Sequence, residues 1–193
     1  MAGADGTFGG RFDDPEAQYR VLYASSQRLG CFLETLARFR PDLTLIAELA
    51  DIGGEDDFVP PGTVPPEWME ERRMGVARVE AVCADIGASD WLGHLRSELA
   101  RKTVALGFGD FDAANLQQSV PRSLTQAISR SVYQEDLSGI RYLSRYGHDI
   151  ENWAIFEPFR IEGPKTEHLT PGDFDFQTAL RIHGLRLGST ERI

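Results

Sequence analysis

The sequence predicts an α+β fold, a small mixed sheet flanked by helices, and three observations lead to that class. The chain has 193 residues, 41% hydrophobic and 26% charged, which is ordinary globular length and composition. Segments with apolar residues at helical spacing are interleaved with short segments rich in β-branched and aromatic residues. The two kinds of segment do not alternate strictly, which favours α+β over a doubly wound parallel sheet.

The first predicted strand runs directly into the first predicted helix. Residues 20–24 have high β-propensity, and Ser25-Ser26 supplies an N-cap. The helix that follows carries its apolar residues at helical spacing, namely Leu29, Phe32, Leu33, Leu36 and Ala37. Pro41 ends this helix, and residues 43–49 form a second short element. The proline-rich, acidic stretch 51–66 predicts a mobile loop.

The rest of the chain predicts three helices and three strands. Strands are expected at 76–86, 139–144 and 152–156. Helices are expected at 89–105, from Pro121 onward, and from Asp173 to Gly184. Their predicted apolar stripes are Leu92, Leu95, Leu99 and Val104; Leu124, Ile128 and Val132; and Phe176, Leu180 and Ile182. We expect the middle stripe to pack against the sheet, with Arg122 at the mouth of a cleft.

The domain organisation follows from the length and from the absence of an internal repeat. We expect a flexible N-terminus over residues 1–10, one domain over 11–188 and a tail over 189–193. No apolar run is long enough for a membrane span, and no secretion signal opens the chain, so we expect a cytoplasmic protein that does not bind a membrane.

Charge and metal-ligating residues exclude several functions. Thirty acidic residues against twenty basic ones give a net charge of −10, which argues against direct binding of nucleic acid. Cys31 and Cys83 form no CxxC motif, so we expect two buried, reduced thiols. The four histidines lack metal-ligand spacing, and we expect no metal site.

Four polar residues are the candidates for a functional site, and each also has a structural interpretation. Arg11 lies in a glycine-rich segment that suits either a ligand or a frayed terminus. Tyr23 suits a ligand pocket or a core position with a satisfied hydroxyl. Glu34 suits an active site or a solvated helix face, and Ser144 suits a site or a turn at the end of a strand. Common catalytic motifs such as GxSxG and HExxH are absent.

Taken together, these residues fall within a set of short strings that resembles the RES-domain family. The strings, in chain order, are Gly10-Arg-Phe-Asp13, Val21-Leu-Tyr-Ala-Ser25, Glu34-Thr-Leu36, Arg122-Ser-Leu-Thr125 with Ala127-Ile128, Gly139-Ile-Arg-Tyr-Leu-Ser-Arg145 and Trp153-Ala-Ile-Phe-Glu157. The family is named for an Arg, a Glu and a Ser, which Arg11, Glu34 and Ser144 match here. Tyr23 matches the family's strand tyrosine, and the resemblance extends from about Gly9 to Leu187.

The resemblance implies a fold and an activity. It implies an ADP-ribosyltransferase-like fold and a bacterial toxin that cleaves the nicotinamide–ribose bond of NAD+, by hydrolysis or by phosphorolysis. NAD+ is then the substrate, and no separate cofactor is implied. Glu34 and Ser144 would be catalytic, and Arg11, Tyr23 and Ser144 would bind NAD+. The implied partner is an Xre-type antitoxin protein, and a homodimer stays open.

Two other hypotheses remain beside this one. The same fold could transfer ADP-ribose to a cellular protein as a mono-ADP-ribosyltransferase. The chain could also be a catalytically weak interaction protein on the RES scaffold, because family members usually have a longer segment ahead of the residue that Arg11 matches. Retention of all four matched polar residues favours the two enzymatic hypotheses.

Overall fold

A computed structural model describes residues 9–52, 62–117 and 121–189 of the chain. The predicted flexible N-terminus up to residue 8, residues 53–61 of the predicted loop and the tail from residue 190 lie outside the described residues. The chain divides into two compact units. The first contains the residues up to Gln27 together with Arg78–Gly163, and the second contains Arg28–Ala77 and the residues from Pro164 onward.

The described residues form a mixture of helices and strands. The strands are β1 (Val21–Ser25), β2 (Gly62–Val64), β3 (Arg73–Val79), β4 (Cys83–Asp85), β5 (Gly139–Ser144), β6 (Gly147–Phe156), β7 (Ile161–His168) and β8 (Leu185–Leu187). The helices are α1 (Arg28–Leu36), α2 (Leu43–Ile52), α3 (Pro66–Glu70), α4 (Ser89–Glu98), α5 (Ala100–Ala105), α6 (Ala113–Gln117), α7 (Arg122–Gln134) and α8 (Phe174–His183). A short 3₁₀ helix, Ala37–Phe39, follows α1.

The first unit is built on a four-stranded sheet in the order β1-β6-β5-β4. β6 is antiparallel to both β1 and β5, whereas β4 is parallel to β5, so the sheet is mixed. Tyr23 lies opposite Ala154, and Ala154 lies opposite Ile140, so these three residues share one face of the sheet. The small mixed sheet with flanking helices confirms the predicted fold class.

Helix α7 packs its apolar stripe into the core of the first unit. Leu124, Ile128 and Val132 are 1%, 0% and 0% exposed, and they share a hydrophobic cluster with Ile140 of β5. The spacing of four residues places the three side chains on one helix face. Their predicted burial is therefore confirmed.

The second unit has its own core around α1 and α8. The rings of Phe32 and Phe176 meet edge to face with centroids 5.5 Å apart. The side chain of Asp173 caps α8 by accepting hydrogen bonds from two backbone amides, and Gly184 ends the helix in the left-handed region at φ 64°. Both predicted ends of this helix are confirmed. β2 and β8 form a parallel pair in this unit, and β3 pairs with β7 in a separate sheet.

Several predicted elements differ from the structure. The predicted strand 76–86 is two strands, β3 and β4, and the exposed side chain of Val82 lies between them. The predicted helix 89–105 breaks at Leu99, where the backbone leaves helical geometry, so Val104 is 69% exposed instead of lying on the apolar stripe. Ile182 is 52% exposed for a simpler reason, since it lies on the outer face of α8.

The predicted loop and thiols also need correction. The loop predicted over 51–66 overlaps the end of α2 and the whole of β2, where pairing with β8 orders the chain. Cys31 and Cys83 are only half-buried, whereas the sequence predicted two buried thiols. Burial nevertheless raises the pKa of Cys83 above its ordinary value. Within the described ranges, no helix has the length and apolar character needed to cross a membrane.

Candidate active site

Helix α7 holds the segment Gly9–Phe12 through its backbone. The four successive carbonyls of this segment each accept a hydrogen bond from a side chain of α7. The bonds run from Arg122 Nη1 to Gly9 at 2.7 Å, from Gln126 Nε2 to Gly10 at 3.3 Å, from Thr125 Oγ1 to Arg11 at 2.5 Å and from Ser129 Oγ to Phe12 at 2.6 Å. The donors have the spacing i, i+3, i+4, i+7, which places them on one face of the helix. Arg11 therefore belongs to a docked segment and not to a frayed terminus.

The other side of this segment is fastened by Tyr23 and Asp13. Phe12 N donates to Tyr23 Oη at 2.8 Å, and Tyr23 Oη donates to Asp13 Oδ1 at 2.8 Å. Asp13 Oδ2 also accepts a hydrogen bond from Gly10 N at 2.5 Å. A Cβ at Gly10 would lie 2.7 Å from both Asp13 Oδ2 and Tyr23 Oη, so a larger residue at this point would displace the hydrogen-bonded side chains.

The hydroxyl of Tyr23 both donates and accepts a hydrogen bond, although the residue is partly accessible. The residue is 41% exposed, so part of the ring faces solvent. Burial of the hydroxyl raises the pKa of Tyr23 well above its ordinary value, and the nearby Asp13 acts in the same direction. The tyrosine is therefore neutral at physiological pH, with its proton directed at Asp13.

Arg11 projects from the docked segment onto two aromatic rings. Its guanidinium carbon lies 5.2 Å from the ring centre of Phe12 and 5.5 Å from that of Tyr142. The rings of Phe12 and Tyr142 are themselves in contact, with centroids 4.9 Å apart. Cation–π contacts of this kind orient a guanidinium while it keeps its charge and its donors. The half-buried Arg11 thus has the chemistry to bind a phosphate or carboxylate.

A buried hydroxyl pair lies beneath the same segment. Ser129 Oγ uses its only proton on the carbonyl of Phe12, so Tyr19 Oη is the donor in the 2.7 Å contact between Tyr19 and Ser129. Burial raises the pKa of Tyr19 to about 12. This pair supports the segment from the side of the core.

Ser144 ends β5, the strand that also carries Tyr142. The side chain is 2% exposed, and its Oγ accepts a hydrogen bond from Tyr146 N at 3.1 Å. The strand pairing shifts register between Leu143 and Ser144, and such irregularities re-aim side chains. Ser144 lies two residues, or about 7 Å of strand, from the ring beneath Arg11. The hydroxyl thus has a turn-forming role whether or not it also contacts a ligand.

Glu34 lies in the second unit, on the exposed face of α1. Its neighbours Phe32, Leu33 and Leu36 are buried, as the helical spacing predicts. Of the other candidates, Arg11 and Tyr23 lie together, because Tyr23 bonds to Phe12 and Asp13 beside Arg11. Ser144 lies in the same unit as these two residues. The expectation that Glu34 joins Arg11, Tyr23 and Ser144 in one functional site stays a prediction.

A cleft elsewhere in the first unit is lined by none of the four candidates. It has a volume of about 530 Å³ and lies along α4, α5 and α7, where its polar walls include Glu98, Lys102 and Arg130. Ser131 Oγ donates to Glu98 Oε2 across one wall at 2.5 Å, and Arg130 is held by Asp14 and Glu16. Gln126, which donates to the carbonyl of Gly10, also lines this cleft, but Arg11 itself does not.

The roles of Asp13, Tyr142 and the polar face of α7 were not predicted from the sequence. A signal for the helix face was present, because Arg122, Thr125, Gln126 and Ser129 have the spacing of one face. No such signal pointed to Asp13 or Tyr142, since their contacts depend on how the segment folds back onto the sheet. Within residues 9–52, 62–117 and 121–189, no group of three His, Cys, Asp or Glu side chains is placed to hold a metal ion.

Comparison with known proteins gives one match. The family model of the RES domain matches residues 1–176 of the 193-residue chain. Neither the curated proteins nor the solved structures that were searched contain a match. Because the matched range covers most of the chain and includes Arg11, Tyr23, Glu34 and Ser144, the chain belongs to the RES-domain family.

Proposed function

We propose that the protein cleaves the nicotinamide–ribose bond of NAD+ and transfers the ADP-ribosyl group to water or phosphate. RES domains are in general NAD+-related toxin domains, and the family membership supports an enzyme that acts on NAD+. The observation that carries the proposal is the fixed guanidinium of Arg11, held over Phe12 and Tyr142 on a segment that is bonded from both sides.

Arg11 would bind the pyrophosphate of NAD+. A guanidinium presents a planar fork of donors that matches phosphate oxygens, and the rings of Phe12 and Tyr142 support the guanidinium of Arg11. Preorganisation lowers the entropy cost of binding, because the side chain and its loop do not have to be ordered by the ligand. Since the phosphate charge is present in the ground and transition states alike, this contact contributes mainly to affinity.

Glu34 would stabilise the charge that develops during cleavage. When the bond between C1′ of the ribose and the ring nitrogen breaks, its electron pair leaves with nicotinamide, and C1′ becomes oxocarbenium-like. A carboxylate near C1′ lowers the energy of this cation, as in glycoside hydrolysis. Water or phosphate then adds to C1′, and water releases a proton. Nicotinamide leaves as a neutral molecule, so a strong general acid is not required.

The proposed biological setting is a toxin–antitoxin pair. A toxin that depletes NAD+ has to be held inactive in the cell that makes it, and the resemblance to RES toxins implies an Xre-type protein as the inhibitor. Expression of the chain alone should therefore arrest growth and lower cellular NAD+. The Glu34→Gln variant should be tolerated at the same protein level.

Incubation of the purified protein with NAD+ tests the reaction and separates the three hypotheses. Release of nicotinamide with free ADP-ribose indicates hydrolysis, and ADP-ribose phosphate formed only in phosphate buffer indicates phosphorolysis. Labelling of added cell protein by NAD+ that is radioactive in the adenylate would indicate an ADP-ribosyltransferase instead. Folded protein that neither releases nicotinamide nor labels a protein would contradict both enzymatic hypotheses.

A further inference from the structure

We propose that Asp13 is a positioning residue for Arg11, with a carboxylate that ties Tyr23 to the backbone of Gly10 and so fixes the guanidinium. The inference rests on the NAD+-cleaving function proposed above and adds a residue outside the Arg, Tyr, Glu and Ser set that the family resemblance supplies. It concerns only contacts within the first unit.

The hydroxyl of Tyr23 has both of its hydrogen bonds within the segment and Asp13. A phenol has one proton to donate, and Tyr23 Oη directs that proton to Asp13 Oδ1 at 2.8 Å. The same oxygen accepts from Phe12 N at 2.8 Å. Tyr23 therefore cannot donate a hydrogen bond to a ligand without releasing Asp13. Its contribution to a ligand is limited to the exposed part of its ring, and its hydroxyl serves the segment.

The carboxylate of Asp13 closes the loop around Arg11. Oδ1 binds Tyr23 and Oδ2 binds Gly10 N, so one carboxylate fastens the residue on the N-terminal side of Arg11 to the sheet strand β1. Phe12, on the other side of Arg11, is fastened to the same hydroxyl. Both residues that flank Arg11 are thus bound to one Asp–Tyr pair.

Gly10 is closely surrounded by the two side chains of this pair. A Cβ at Gly10 would lie 2.7 Å from Asp13 Oδ2 and 2.7 Å from Tyr23 Oη, so Gly10 lies directly against both side chains. The carbonyls on the opposite edge of the segment are bonded to α7. Both edges of the segment are therefore bonded. Loss of the Asp13 carboxylate would release one edge and change the direction in which Arg11 projects.

A double-mutant cycle between Asp13 and Arg11 tests the proposal in NAD+ cleavage. Loss of the carboxylate in Asp13→Ala should raise KM for NAD+ about tenfold, the size of one lost charge-assisted hydrogen bond, and change kcat by less than about twofold. In an Arg11→Ala background the same substitution should change KM by less than about twofold, because the residue that it positions is gone. Asp13→Asn keeps an acceptor for Tyr23 but loses the one for Gly10 N, so its KM should fall between those of wild type and Asp13→Ala.

The control variant is Asp90→Ala, which removes an aspartate from an exposed position of α4 in the same unit. Melting temperatures identify any variant that is unfolded, and Asp13→Asn keeps the test valid if Asp13→Ala fails to fold. Equal KM values for wild type and a folded Asp13 variant would overturn the proposal. Effects of Asp13→Ala and Arg11→Ala that simply multiply would overturn it as well.

A second measurement does not depend on turnover. The rate at which phenylglyoxal modifies Arg11, followed by peptide mass spectrometry, reports how firmly the guanidinium is held. Asp13→Ala should raise this rate about tenfold and Asp90→Ala should leave it unchanged. If the wild-type protein does not consume NAD+, the proposed function fails, and the modification rate still decides on Asp13. An unchanged rate in Asp13→Ala overturns the positioning role.

Discussion

The segment that carries Arg11 and the helix that carries Glu34 differ in what fixes their backbone. Residues 9–13 have no regular secondary structure, yet side chains bind four of their carbonyls and two of their amides. Glu34 lies on a regular helix, and its side chain is exposed. Side-chain bonds to the backbone can thus preorganise a functional residue where regular structure is lacking. Arg11 is therefore expected to act in binding, and Glu34 in the chemical step.

The largest expected effect is on turnover at Glu34. Glu34→Gln keeps the shape of the side chain and removes the charge that would stabilise the oxocarbenium-like cation. We expect kcat to fall about 10²- to 10³-fold, or roughly 3–4 kcal/mol, with little change in KM. Steady-state NAD+ consumption measures both constants.

The matched control is Glu48→Gln, which removes the same charge from an exposed position of α2 in the same unit. Because both positions are exposed, neither substitution should change the free energy of unfolding by more than about 0.5 kcal/mol. Wild-type turnover by Glu34→Gln would mean that Glu34 is a solvated helix residue. The assignment of Glu34 to the chemical step would then be wrong.

The next effect is on affinity at Arg11. Arg11→Ala removes a charged donor, and hydrogen bonds to charged groups contribute about 1.5–3 kcal/mol, so KM for NAD+ should rise about 10- to 100-fold. Arg101→Ala, at an exposed position of α5, is the control. A fall in kcat at unchanged KM would show that Arg11 acts on the transition state, and the division between binding and chemistry would then be wrong.

Many of the helices and strands could be predicted from the sequence, because the spacing of apolar residues indicates both the type of element and its buried face. Leu124, Ile128 and Val132 illustrate this, and so do the cap at Asp173 and the stop at Gly184. β7 could not be found in this way, since all eight of its residues are exposed and its sequence has no alternation. Val104 was misplaced because the helix breaks at Leu99, and no proline or glycine marks that break.

The candidate site was predictable only in part. Arg11, Tyr23 and Ser144 could be named from family strings, but their local bonding depends on contacts distant in sequence. Thr125 bonds to Arg11 across 114 residues, for example. The bonds of Asp13 could not be predicted either, since nothing in Gly10-Arg-Phe-Asp13 indicates that the aspartate bonds to Tyr23 and Gly10. Side-chain bonds to an irregular backbone have no sequence period, and so they need the fold.

A smaller effect, on stability, tests whether the Arg11 segment is held as firmly as its bonds indicate. Ser129→Ala leaves the buried carbonyl of Phe12 and the hydroxyl of Tyr19 without their partner. Leaving a buried polar group unsatisfied costs about 1–3 kcal/mol, so the free energy of unfolding should fall by that amount in chemical denaturation. Ser123→Ala, at an exposed position of the same helix, should have almost no effect. Equal stability of the two variants would mean that the segment is held by other contacts.

The smallest expected effect is the pH dependence set by Asp14, the residue that follows the segment. The side chain of Asp14 is fully buried and accepts hydrogen bonds from Arg130 Nη2 at 2.6 Å, Gln18 N at 2.8 Å and Glu16 N at 3.2 Å. Burial by itself raises the pKa of Asp14, but these bonds outweigh it and hold the pKa below the ordinary value of 3.8. A depressed folded-state pKa means that the unfolded chain takes up this proton first as the pH falls.

The stabilisation from Asp14 is therefore complete above the unfolded-state pKa near 3.8 and is lost as the pH falls through the lower folded-state pKa. One such group contributes a slope of at most about 1.4 kcal/mol per pH unit, because only one proton is involved. Asp14→Asn removes this titration, so its free energy of unfolding, measured by denaturant titration from pH 7 to 2, should be lower at pH 7 and fall less steeply below pH 4. Asp90→Asn is the exposed control. If the free energy of unfolding falls equally steeply below pH 4 in wild type and Asp14→Asn, the ion pair with Arg130 does not stabilise the end of the segment. The firmly held region around Arg11 would then end at Asp13.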